Sequence, residues 1–139
     1  MSITTEEWFK QSDYDIDTAQ YMFDGGRYFY SVFMCHLAIE KALKGLFQKV
    51  TQKIPEKTHS LVYLVKEMGI TPPEEIGKFI VKLSTASVVV RYPEDTLKLQ
   101  KEFNKTVVND FLEKSREACD AQGCANVAGA RDGEEATNG

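Results

Sequence analysis

A chain of 139 residues with 42% hydrophobic and 27% charged residues has the size and composition of one globular domain. Folding at this length removes roughly two-thirds of the unfolded surface from water, so neither a disulfide nor a metal is needed to hold a core. The formal charge of −4 excludes a globally basic, nucleic-acid-coating protein and leaves room only for a local basic patch.

Cys35, Cys119 and Cys124 make an odd count with no CxxC spacing, which argues against both a disulfide framework and a zinc knuckle. Cys35 lies in an apolar run and reads as a small core residue. The start, "MSITTEEWFK", is acidic and carries no apolar signal segment, and no stretch reaches the roughly 20 apolar residues of a membrane span. A protein of the reducing cytoplasm, without membrane contact, is expected.

Thr4 followed by Glu7 fits a capping box, and Phe9, Ile16, Ala19 and Phe23 then recur with helical spacing until Gly25 and Gly26 stop the run. Asp13, Asp15 and Asp17 are assigned to the outer face and flank of this first helix. Alternate helical positions diverge, so they do not make a metal site.

A second helix is expected from about Arg27 to Val50. Tyr28, Val32, Cys35, Ile39, Ala42, Leu46 and Val50 form one apolar seam, and Phe29, Phe33, Leu43 and Phe47 widen it. Such breadth suits the centre of a bundle, or a face that also meets a partner. The polar loop "TQKIPEKTHS" follows, broken by Pro55, and then a short helix from about His59 to Met68 with Leu61, Leu64 and Val65 inward.

Gly69 ends that helix, and "TPPEE" starts another, with Thr71 as cap, Pro72 at the first helical position and Glu74 completing the box. Ile76 to Val90 is read as a helix fraying into a loop at the β-branched "SVVVRY". Pro93 separates it from a last amphipathic helix, about Thr96 to Ala118, built on Leu99, Phe103, Val107, Phe111 and Leu112. The fold expected is all-α: an antiparallel helical bundle over residues 1–118, with the Arg27–Val50 helix at its centre. The tail, residues 119–139, has almost no large apolar side chains and is expected to be disordered.

No GxxxxGK, GxGxxG, HExxH or GxSxG signature occurs, and two histidines, His36 and His59, are too few for a histidine-rich metal site. No cofactor is expected. Glu40 and Lys44 sit one helical turn apart, with His36 a turn earlier on the same row. Lys41, Lys44, Lys49, Lys53 and Lys57 make this stretch locally basic. Two readings stay open: a solvated face with an i,i+4 pair, or an anion site in which lysines supply flexible charge.

"GRYFYSVFMCHLAIEKALKGLF", a proline-containing loop, "THSL" and then "RYP" resemble, in order and spacing, a prokaryotic HEPN domain over about Glu6 to Arg116. The resemblance implies an antiparallel up-and-down four-helix bundle with an additional short helix, usually a homodimer. It also implies a place beside a minimal nucleotidyltransferase in a toxin–antitoxin or related module, with a nucleotide or RNA as ligand. Glu40, Lys41 and Lys44 match the "EKALK" core, His59 the histidine of the next helix, and Arg91, Tyr92 and Pro93 the "RYP".

These matches make Glu40, Lys41, Lys44, His59, Arg91 and Tyr92 the candidate nucleotide- or phosphate-binding residues. Each also has a structural reading. His59 caps its own helix, Tyr92 joins the core, or Arg91 pairs with Glu94, Asp95 or Glu40.

RNA-cleaving members are similar in carrying an arginine, four to six residues, then a histidine. Here Arg27 precedes His36 by nine positions, about 13 Å along a helix, and no histidine follows Arg91. No catalytic residue is therefore assigned, and a non-catalytic HEPN protein is expected. A metal-independent ribonuclease toxin with a variant site and a pure protein-interaction module are its alternatives.

Overall fold

A computed structural model describes residues 3–119 as six helices with no strand among them. They are α1 (Thr5–Asp24), α2 (Tyr28–Thr51), α3 (Leu61–Glu67), α4 (Glu74–Arg91), α5 (Thr96–Glu102) and α6 (Lys105–Cys119). The expected tail lies outside the described residues, apart from its first residue, Cys119, which closes α6.

Thr4 Oγ1 accepts the Glu7 amide at 3.1 Å, as the capping box requires, but the Glu7 carboxylate turns forward to accept from Gln11. At the other end of α1, Gly26 takes φ 76° and the Arg27 amide donates back to the Met22 carbonyl, closing the turn into α2.

α2 is the axis of the molecule and touches α1, α3, α4, α5 and α6. Its own chain buries the central seam: Val32, Cys35, Ala38, Ile39 and Leu43 are fully or almost fully buried, while Phe29, Phe33 and Phe47 are only partly covered. Small residues let α1 lie unusually close. Ser12 Oγ donates to the Ala38 carbonyl and Ser31 Oγ to the Ala19 carbonyl, both at 2.8 Å, which stitches the two helices through their backbones. A Cβ on Gly45 would fall 2.6 Å from the Phe9 ring and 2.9 Å from Trp8 Cβ. Cys35 is in the core, where burial pushes its thiol up to about 11 and keeps it protonated.

Four local expectations give way to stronger effects. Asp15 is buried rather than outward, because Lys41 of α2 reaches it at 2.8 Å. Thr71 does not cap α4: the helix starts after Pro73, with no side-chain cap. The "SVVVR" stretch stays helical to Arg91, because Ala86, Ser87 and Val90 face inward and tertiary burial outweighs β propensity. The last expected helix is two. It breaks at Phe103, and Asn104 restarts it by accepting the Val107 amide at 3.0 Å.

Candidate functional site

One face of α2 carries Phe33, His36, Glu40 and Lys44, spaced three or four residues apart so that their side chains stack along a row. Glu40 is the hub. Its Oε2 accepts from Lys44 Nζ at 3.1 Å, and its Oε1 lies 2.9 Å from His59 Nδ1. Glu40 and Lys44 are both buried, so this pair is not the solvated surface pair that spacing alone allows. A second partner for Lys44 is Trp8 of α1, whose ring centroid lies 5.7 Å from Nζ.

His59 arrives from the loop before α3. Ser60, not His59, caps that helix, accepting the Tyr63 amide at 3.1 Å. His59 is thereby left to face Glu40 while 70% of its side chain stays exposed. Glu40 fixes its Nδ1 and leaves Nε2 open to solvent.

His36 is buried, and its Nδ1 is 3.9 Å from Glu40, beyond hydrogen-bond reach and unpartnered among the described residues. Burial pushes its pKa down to about 4, Glu40 opposes that shift, and Arg91 and His59 add to it, so the ring is neutral at pH 7.

Arg91 comes from the last turn of α4. Its guanidinium carbon lies 4.7 Å from the Phe33 ring centroid. It pairs with none of Glu94, Asp95 and Glu40, and its buried Nη2 has no acceptor among the described residues.

Of the six residues singled out from the sequence, Glu40, Lys44 and His59 meet directly, and Arg91 approaches them beside His36. Lys41 is elsewhere, on the α1 side with Asp15. Tyr92 is 75% exposed at the end of α4 and joins neither the core nor the cluster. Sequence reasoning missed Phe33 and Trp8, the aromatic faces under the two cations. The chain's single tryptophan was the available signal for the second.

Within the cluster the buried Glu40 carboxylate stands beside the Lys44 ammonium, with the Arg91 guanidinium near His36. Among the described residues no group of His, Cys, Asp or Glu is arranged to hold a metal, and no helix is long and apolar enough to cross a membrane.

A buried acid–base cluster on the axial helix of an all-α fold is the setting in which the comparisons fall. A family model, the HEPN domain, matches residues 5–124, and the chain belongs to that family. The fold is similar to the crystal structure of ST0689, an archaeal HEPN homologue. That match has a TM-score of 0.66 and 22% sequence identity, and covers 84% of this chain and 93% of that one. No functionally curated protein matches.

Proposed function

We propose that this HEPN protein is a non-catalytic binder of a phosphate-bearing ligand, a nucleotide or an RNA backbone, held at Arg91. The observation that carries this reading is the Arg91 guanidinium. It lies over Phe33 with a buried Nη2 lacking an acceptor, beside a neutral His36 whose Nδ1 also lacks a hydrogen-bond partner. A buried donor without an acceptor costs about 1–3 kcal/mol, which a phosphate oxygen recovers on binding.

Lys44 is committed to Glu40 and Trp8, so it acts here as the strut that sets the cluster's shape. His59 is the solvent-exposed member of the cluster. The absence of the arginine–histidine spacing of RNA-cleaving relatives supports a binding role over a catalytic one.

Calorimetric titration with ATP, with and without magnesium, tests this. Saturable binding is expected, lost in Arg91→Ala at an unchanged melting temperature. Absence of heat with both forms of ATP, and with a short RNA, overturns it.

One observation favours the ribonuclease alternative: Glu40 orients His59 with a free Nε2, as a general base requires. Cleavage of RNA by the purified protein, abolished in His59→Gln, would establish that reading.

The proposal extends to assembly: an up-and-down bundle that pairs with a twin, and that serves a nucleotidyltransferase partner in a toxin–antitoxin type of module. Val81, Val88 and Val89 on the outer side of α4, at 55%, 58% and 40% exposure, support the twin as an uncharged row continuous with Tyr92.

A further inference from the structure

α1 has a face that the ligand site does not use. Its inner side buries Ser12, Asp15, Ile16 and Ala19, which leaves Lys10, Asp13, Tyr14, Asp17, Tyr21 and Asp24 on the outside. Tyr14 and Tyr21 are 74% and 82% exposed, two turns apart and about 10 Å along the axis. Large aromatic rings so fully in water forgo their burial energy, and Tyr is a residue type enriched where partners bind.

The carboxylates around them are arranged at a cost. Asp13 and Asp17 are one turn apart, and neither has an ion-pair partner among the described residues. Partial burial, and then the charge of Asp17, raise the Asp13 pKa above its ordinary value. Like charges at this spacing destabilise a helix. Asp24 extends the row and accepts from Gln20 rather than from a cation. Only Lys10, at the far end, opposes three carboxylates.

We infer that the outer face of α1 docks a basic segment of a partner protein, with arginines set between its carboxylates and over the Tyr14 and Tyr21 rings. Guanidinium is the complementary chemistry on both counts. It pairs bidentately with carboxylate and stacks on an aromatic face. A helix bearing arginine at every fourth position matches the row, because its charges recur about every 6 Å.

The test uses the full chain and a fluorescent alanine-based helix with arginine at every fourth position, followed by anisotropy at low salt. Asp13→Asn with Asp17→Asn, and separately Tyr14→Ala with Tyr21→Ala, should each weaken saturable binding about tenfold, the equivalent of about 1.4 kcal/mol. Glu74→Gln with Glu75→Gln removes the same charge from exposed positions of α4 and should change binding less than about twofold. All the α1 sites are exposed, so the variants should melt like the parent. Equal weakening by the α4 variant would mean attraction to net charge alone and overturns the inference, as does the absence of saturable binding.

Discussion

Glu40 holds Lys44 on one oxygen and His59 on the other while almost out of water. A buried pair of this kind is a poor source of net stability, yet breaking it is expensive, because the survivor keeps its desolvation cost. Glu40→Ala strands the Lys44 ammonium and should cost about 3 kcal/mol in urea unfolding. The double change Glu40→Leu with Lys44→Met removes both charges and should recover most of that loss. Recovery in the double variant separates a stranded charge from simple loss of packing.

His36 adds a pH dependence whose sign is fixed by the direction of its shift. Its folded pKa of about 4 lies below the 6.5 of a free histidine. Between those values the unfolded chain binds the proton and the folded chain does not, so stability falls as pH drops from 6.5 towards 4. Below about 4 this contribution levels off. The full span corresponds to about 3 kcal/mol. His36→Leu should flatten that part of the pH–stability curve, and an unchanged slope would assign it to the carboxylates.

At the scale of elements, the contact between α1 and α2 depends on what is missing from Gly45. A methyl there meets the Phe9 ring and Trp8 Cβ inside 3 Å, and the Trp8 atom, next to the backbone, cannot swing away. Alanine gains about 1 kcal/mol of helix propensity over glycine and loses more to overpacking. Gly45→Ala should therefore lower the melting temperature, with a net destabilisation of up to about 2 kcal/mol.

Asn104 tests a different kind of element. Its side chain caps α6, and Asn104→Ala should cost about 1 kcal/mol without touching the core.

Helix identities in this chain were legible because capping and periodicity are local: Thr4, Gly26 and the apolar seam of α2 all act where they stand in sequence. Asn104 was a legible cap too, overlooked because Phe103 and Phe111 continue the apolar rhythm across the break. Asp15 was not legible, since its burial depends on a lysine 26 positions away. The same limit applied to the site. Glu40 and Lys44 announced their pairing, but their burial comes from Trp8 and from the loop that delivers His59, and no spacing within α2 encodes either.

For the whole molecule, the inner seam of α2 is spent on its own chain, and α4 offers a separate apolar row on which a twin subunit can be tested. Val81, Val88 and Val89 lie on the outer side of α4, around Thr85, with no acidic or basic side chain in their midst except Lys82 beside them. Burying three half-exposed valines contributes about 2–3 kcal/mol per protomer. An antiparallel pairing of α4 with its copy repeats the row on both sides, as a two-fold contact requires. Arg91 and Tyr92 close the row, so such a pairing brings the end of α4 from one protomer alongside the α4 helix of the other. Val88→Glu should shift the protein towards the monomer in sedimentation equilibrium while leaving its thermal melt at low concentration unchanged, because the side chain is exposed in the single chain. If the parent is monomeric at every concentration, the valine row is not a subunit contact, and each chain then carries a complete site of its own.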